Sequence, residues 1–355
     1  MSNFLLHDCS NVNRGESETV FENENTLIKA RAGIAALFGS GREDLVCFQM
    51  NATHAINNIV GGLFSDKDHI LISPYEHNAV VRALTVRNID FTPLYPGPDF
   101  SIDLEKSSAL IKKNTKAVIS TGASNIIGQD MDIKALSAFA RANGLLFFVD
   151  AAQRAPHLPL SLSDCDGIAF TGHKGLLGPQ GTGGMVLSEK TASMLKPVFG
   201  GGTGSLSESY YMPQFYPDRF EAGTQNIVGI VGLAAALDYT LTRKEELHRA
   251  SMKATEGLME GFSEIKGIKV LNRHPATPVV SVYSERLDVA ELGTLIEEKS
   301  GIETRVGLHC APLAHKTAGT YPRGVLRFSP GHATTEEEVE KTVSTVAEAV
   351  NELLR

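Results

Sequence analysis

Closely spaced cysteines are missing from this chain of 355 residues. Its four cysteines, Cys9, Cys47, Cys165 and Cys310, form no CxxC pair and no dense framework, so neither a disulfide scaffold nor a metal site is expected and reduced thiols are the default. No run of five or more Lys and Arg occurs, and a net charge of −8 supplies no field to attract a phosphate backbone, which argues against nucleic-acid binding. Long apolar segments are missing too. The stretch Ile227 to Leu237 is too short to cross a bilayer, and the start MSNFLLHDCSNVNRG lacks the basic beginning and apolar centre of a secretory signal. A cytoplasmic protein without membrane attachment is therefore expected. No repeat or low-complexity tract interrupts the chain, and its length suffices for one large domain plus a smaller one.

What is present concentrates between Leu145 and Gly184. Leu145 to Val149 is a short apolar run with Phe-Phe-Val at its centre, and it reads as a buried parallel strand ending in Asp150. A carboxylate at the C-terminal edge of an open α/β sheet lies where ligands bind, and it can hold a protonated ring nitrogen by a charge-assisted hydrogen bond. Gln153, three residues on, can reach the same ligand. A second apolar run, Gly167 to Phe170, feeds Thr171-Gly172-His173-Lys174 and a glycine-rich turn. A lysine among small residues beside such a strand suits an enzyme that keeps an amine partly unprotonated to hold a planar cofactor.

Together, Asp150-x-x-Gln153 and Thr171-Gly172-His173-Lys174 resemble the pyridoxal-phosphate site of class V aminotransferase-like enzymes. Within that group the pattern is similar to the cysteine desulfurase and selenocysteine lyase family, which carries Asp-x-x-Gln followed by Ser-Gly-His-Lys. Thr171 keeps the hydroxyl of that serine. The resemblance implies an α/β protein of the pyridoxal-phosphate fold type I, with a mostly parallel seven-stranded-type sheet and a smaller α+β C-terminal domain. It implies pyridoxal 5′-phosphate as cofactor, with Asp150, Gln153, Thr171, His173 and Lys174 around it.

The alternation of elements agrees with such a sheet. Residues 22–38 have helical spacing closed by Gly39; strands are expected at 45–49, 69–73, 89–94 and 116–120, and a helix at 104–113. Asn51-Ala52-Thr53-His54 opens a helix after the first of these strands, and it reads either as a plain N-cap or as a phosphate site built on free N–H groups. The resemblance favours the second reading, with Thr53 on the phosphate; His54 stands where the family has Glu, and it is kept in the cofactor set by position only. In Glu76-His77-Asn78-Ala79 a lone histidine is ordinarily a cap, but the family's Glu-His-x-Ala implies that His77 stacks on the cofactor and takes part in catalysis. Ser124-Asn125-Ile126-Ile127-Gly128 is an Asx turn on its own, and by resemblance places Asn125 on the cofactor or the substrate carboxylate. Phe220-Glu221-Ala222-Gly223-Thr224-Gln225-Asn226 matches the family's Phe-Glu-x-Gly-Thr-x-Asn. The resemblance implies that Thr224 reaches the cofactor phosphate of a partner subunit, hence a homodimer.

Past about residue 240 the pattern changes to an amphipathic helix at 243–262, strands at 267–271, 279–284, 302–306 and 325–328, and helices at 289–299 and 336–354. This gives a large cofactor-binding domain at 1–240 and a small α+β domain at 241–355. Arg305-x-Gly307-x-His309-Cys310-Ala311 resembles the desulfurase Arg-x-Gly-x-His-Cys-Ala, and Arg327 matches the arginine that clamps the substrate carboxylate, with Arg305 nearby. Taken alone, Cys310 is either a core cysteine or a nucleophile; its loop, with His309 and His315 as neighbouring sources of positive charge, favours a thiolate. Its short distance in sequence from Arg327 resembles the compact loop of group II desulfurases, which often pass sulfur to an acceptor protein. The family's starting strand, Tyr-Leu-Asp-Asn-Ala-Ala-Thr-Thr, has no match before Asn13-Arg14-Gly15, so a shortened N-terminus is expected.

The implied activity converts L-cysteine to L-alanine and leaves the sulfur as a persulfide on Cys310, with selenocysteine as a possible second substrate. The alternatives are a class V aminotransferase or other lyase on a different amino acid, which would keep Lys174 without needing Cys310, and a degenerate cofactor-binding paralogue with a scaffolding role.

Overall fold

The computed structural model describes residues 1–10, 12 and 17–355. Asn13-Arg14-Gly15, where the family resemblance was expected to begin, lies outside the described residues. Ahead of it the chain forms a π-helical turn at Phe4–Asp8, and no strand among the described residues precedes Val46.

The large unit runs α1 (Glu18–Leu37), β1 (Val46–Gln49), α2 (Ala52–Leu63), β2 (His69–Ile72), α3 (Asn78–Thr85), β3 (Asp90–Pro93), α4 (Leu104–Ser107), β4 (Thr115–Thr121), α5 (Ile133–Ala142), β5 (Leu146–Asp150), β6 (Gly167–Thr171), β7 (Gly183–Leu187), α6 (Glu189–Met194) and α7 (Ile227–Thr242). Its seven strands lie in the order β1-β7-β6-β5-β4-β2-β3. β7 alone runs against its two neighbours, β6 and β1; the other pairings are parallel. A sheet of this kind is covered on both faces, which is why its strands read as continuous apolar runs.

The two faces separate by alternation. Leu71, Val118, Phe147, Val149, Ile168 and Phe170 pack toward Leu27 and Ile34 of α1, Leu136 of α5 and Leu233 of α7. Their sheet neighbours Ile70, Ile119, Phe148, Ala169 and Met185 pack toward Ile56 and Ile59 of α2 and Val80 and Leu84 of α3. Each fully buried Phe, Leu or Ile contributes about 1.5–3 kcal/mol. Where β7 crosses the start of α2, a Cβ on Gly183 would lie 2.7 Å from the Asn51 Cα. Only glycine lets these two backbones approach so closely.

The expected helix at 104–113 is shorter than its pattern. It ends at Ser107, followed by one 3₁₀ turn at Ser108–Leu110. Ser107 Oγ bonds Asp103 O and also accepts from Tyr95 N, while Ser108 Oγ bonds Glu105 O, and such local bonds compete with helix propagation.

The small unit contains α8 (Lys244–Ser263), β8 (Lys269–Val270), β9 (Val280–Tyr283), α9 (Val289–Ser300), β10 (Arg305–Gly307), α10 (Pro312–Ala318), β11 (Val325–Phe328) and α11 (Glu336–Leu353). Its antiparallel sheet, β10-β11-β9-β8, closes over a core of Leu258, Phe262, Val282, Leu292, Leu326 and Val346. α11 opens with a capping box between Thr335 and Glu338. Only Arg243 separates α7 from α8, so residue 240 falls in the last turn of α7. α10, inside what reads as the Cys310 loop, was not expected. Pro312 at its first position and Gly319 in left-handed conformation after its end (φ 75°) bound it.

The two units join at the turn 124–128. Ser281 Oγ donates to Ile126 O (2.5 Å), Asn272 Nδ2 to Ile127 O (2.7 Å) and Ala276 N to Gly128 O (2.8 Å). No helix among the described residues is long and apolar enough to cross a membrane.

Candidate functional site

The parallel pairing of β4 and β5 puts Thr121 beside Asp150, and that of β5 and β6 puts Asp150 beside Ala169. Three strand ends thus open on one cavity of about 270 Å³, at the C-terminal edge of the sheet. Thr53, His77, Asn125, Asp150, Gln153, Thr171, His173, Lys174, Arg305 and Cys310, all read as site residues from the sequence, line it together with Asn51 and Ala52.

Asp150 is buried, and its Oδ1 accepts from Ala152 N at 2.9 Å. Lys174 follows β6 on the turn beyond Thr171. The residue is exposed to the cavity, and desolvation holds its pKa below the ordinary lysine value. Asp150 opposes that shift, and Arg327 and Arg305 reinforce it. An amine so placed is partly unprotonated nearer neutral pH than a free lysine. Thr171 Oγ1 lies 3.0 Å from His173 Nδ1.

At the start of α2, Asn51 Oδ1 accepts from His54 N at 2.9 Å, so the N-cap reading holds for Asn51. Ala52 and Thr53 remain on the cavity side, where first-turn N–H groups have no intrahelical partner. For His77 the cap reading holds as well, and the residue also lies at the cavity. Its Nδ1 accepts from Ala79 N at 3.0 Å as the cap of α3, and its ring lines the cavity. Burial lowers its pKa and Asp150 opposes this, so the neutral ring is favoured.

Behind His77 lies a residue whose role the sequence did not reveal. Glu76 is fully buried; its Oε1 accepts from Ser73 Oγ (2.6 Å) and Thr121 N (2.5 Å), and its Oε2 has no hydrogen-bond partner among the described residues. Burial pushes its pKa up to about 8, with Asp150 adding to the rise. A carboxyl that holds its proton keeps a second negative charge away from Asp150.

Cys310 is exposed to the cavity, and its Sγ lies 3.8 Å from Arg305 Nη2. The two histidines expected to supply positive charge do not. His309 and His315 are buried and stacked 6.0 Å apart; their nitrogens face Val325 O and Thr320 Oγ1, and burial pushes both pKa values down to about 4. At neutral pH they are packing groups, and Arg305 is the cation beside the sulfur. The loop is held in shape by close approach: a Cβ on Gly324 would lie 2.4 Å from the Gly307 backbone, across the β10–β11 turn. Arg327 Nη1 donates to Asn125 O at 3.0 Å, while its buried Nε has no partner among the described residues. An unpaired buried guanidinium N–H beside Asn125 is a ready donor for a carboxylate.

Three predicted residues, Arg327, His54 and Thr224, do not line this cavity. The His54 ring turns to Gln49 Oε1 (2.6 Å) and stacks on Phe199 at 4.8 Å, away from Lys174. His54 is therefore corrected from a cofactor contact to a packing residue of a second cavity, about 540 Å³, which Thr224 also lines. This cavity is larger, yet no cysteine or lysine is among the described residues lining it. The loop bearing Thr224 is fixed by Glu221, which takes two 2.6 Å bonds from Arg31 of α1 and one from Phe48 N. Glu221 stood in the motif Phe-Glu-x-Gly-Thr, but nothing in the sequence paired it with Arg31.

Comparison with known proteins identifies the family and the fold. A family model described as aminotransferase class-V matches residues 1–342. The chain is 30% identical to a protein described as a probable cysteine desulfurase from Methanothermobacter thermautotrophicus, over 98% of this chain and 90% of that one. It is also 30% identical to a probable cysteine desulfurase 2 of Mycobacterium leprae, over 98% and 87%. Among solved structures, the apo cysteine desulfurase of Thermococcus onnurineus NA1 superposes with a TM-score of 0.88 at 27% identity, covering 99% of this chain and 90% of that chain. A cysteine desulfurase from Escherichia coli has the same TM-score of 0.88 at 24% identity, over 99% and 90%, a likeness of fold.

Proposed function

The chain belongs to the class V aminotransferase family, and on that premise we propose that it is a pyridoxal-phosphate-dependent cysteine desulfurase. The carrying observation is that Lys174, Asp150 and Cys310, from β6, β5 and the small unit, line one cavity.

The residues fit the cofactor. Asp150 is a buried carboxylate suited to a protonated ring nitrogen, His77 offers a flat neutral ring, and Ala52 and Thr53 offer helix N-terminal N–H groups for a phosphate. Gln153, Thr171 and His173 complete the lining. Bound there, pyridoxal 5′-phosphate supplies an electron-withdrawing ring that stabilises negative charge on the carbons of an amino acid. Lys174 holds the cofactor through its amine and, when released, carries a proton at Nζ. The unpaired Arg327 Nε, with Asn125 alongside, takes the substrate carboxylate. The Cys310 sulfur, with Arg305 Nη2 3.8 Å away, attacks the sulfur of L-cysteine. The substrate C–S bond breaks, an S–S bond forms on Cys310, and the thiol proton is balanced by the new hydrogen on the alanine methyl group.

A homodimer belongs to the same proposal, because Thr224 lines a cavity separate from Lys174, and the exposed Phe199 and Met50 line it too. So do the division of labour between residues 1–240 and 241–355, a reducing cytoplasmic setting for four free thiols, and transfer of the sulfur to an acceptor protein. The test is to load the protein with pyridoxal 5′-phosphate, add L-cysteine, and assay alanine and protein persulfide in equal amounts. Turnover of another amino acid with none of cysteine would favour the aminotransferase alternative.

A further inference from the structure

The Cys310 loop is bound to the large unit at two consecutive carbonyls. Asn78 N donates to Cys310 O at 2.7 Å, and Asn125 Nδ2 donates to His309 O at 3.0 Å. Asn78 is the first residue of α3, directly after His77. Its N–H is one of those a helix cannot satisfy internally, and here it is used across the junction between the units. The two carbonyls belong to residues in left-handed backbone, His309 at φ 48° and Cys310 at φ 58°. For residues with a side chain this conformation is strained and persists only where surrounding contacts hold it. The Asn125 amide, read from the sequence as a cofactor or substrate contact, is thus committed through its N–H₂ group to the loop.

We propose that the main-chain N–H of Asn78, assisted by the Asn125 carboxamide, clasps the loop and seats Cys310 at the cavity, making Asn78 a positioning residue for sulfur transfer. The proposal rests on Cys310 being the sulfur acceptor. It explains why His77 and Cys310 line the same cavity from different units: the peptide after His77 donates to the peptide of Cys310.

Asn78→Pro removes this N–H and little else. The first helical position is where proline is favoured, and His77, at φ −77° and ψ 154°, already has the extended conformation required of the residue before proline. Asn78→Ala keeps the N–H and is the matched control. In cofactor-loaded protein, Asn78→Pro is expected to keep the cofactor absorbance and the KM for L-cysteine while kcat falls about tenfold to a hundredfold, the effect of a displaced reacting group. Asn78→Ala should stay near the wild-type kcat. Equal kcat in the two variants would overturn the clasp. If Asn78→Pro does not fold, amide exchange of the wild type decides: protection at Asn78 is expected, and exchange at the rate of a free helix-start amide overturns the proposal. Full alanine release by Cys310→Ala would instead remove the desulfurase reading itself, whereas its loss there, with no difference between the Asn78 variants, rejects the clasp alone.

Discussion

Cys310 Sγ lies 3.8 Å from Arg305 Nη2, and Arg305 is the cation next to that sulfur. Arg305→Ala is expected to slow alkylation of Cys310 by iodoacetamide at pH 7 about two- to fivefold, the size of one exposed charge contact. Arg305→Lys should recover part of the rate, because the charge returns without the planar fork. An unchanged rate in Arg305→Ala would show that the contact has no influence on the sulfur.

Asp150 supports the Lys174 ammonium while burial and two arginines oppose it. The amine reacts only when unprotonated, so cofactor capture should rise with pH through a midpoint below that of a free lysine. Asp150→Asn removes the group that raises the Lys174 pKa, and the midpoint should move lower still. Turnover should fall about a hundredfold or more for loss of the charge facing the ring. Borohydride trapping of the loaded protein across pH, with the adduct mapped to Lys174, measures this. A midpoint that rises in Asp150→Asn, or an adduct on another lysine, contradicts the assignment.

Glu76 has its pKa raised to about 8 in the fold, above its unfolded value. A raised acid contributes stability that is complete below the unfolded pKa and is lost as pH rises through the folded one, so the loss runs between about pH 4.5 and pH 8. Glu76→Gln keeps the shape and cannot ionise. Its Tm should match the wild type near pH 5 and exceed it at pH 9. A parallel decline in both proteins would mean that Glu76 does not hold its proton.

If Thr224 completes the phosphate site of a partner subunit, Thr224→Ala alone should weaken retention of the cofactor. Mixing Thr224→Ala with Lys174→Ala subunits should then restore one working site per mixed dimer. No recovered activity in verified mixed dimers would count against a shared site.

The strands around the site were legible because they are buried on both sides: LFFVD at 146–150 and GIAFT at 167–171 need no partner to read as strands. The gathering of Lys174, Asp150 and Cys310 was legible only through motif order, since spacing alone says nothing of how residues 174 and 310 meet. What the sequence concealed depends on burial. A histidine beside a cysteine reads as a charge, yet His309 and His315 are enclosed and neutral. Glu76 and Glu221 stood in motifs without a role of their own until Ser73, Thr121 and Arg31 are found against them. The unexpected helix α10 did carry a signal, proline at its first position and glycine past its end, inside a stretch that reads as a compact cysteine loop.

The central claim is that Cys310 receives the substrate's sulfur. The most direct measurement is a single turnover of cofactor-loaded wild type and Cys310→Ala with L-cysteine, followed by mass mapping of the cysteines. The wild type should release alanine and gain one sulfur atom on Cys310, while Cys310→Ala should still bind cofactor and cysteine through Lys174, Asp150 and Arg327 yet release almost no alanine. Full alanine release from Cys310→Ala, or the added sulfur on Cys9, Cys47 or Cys165, would contradict the account.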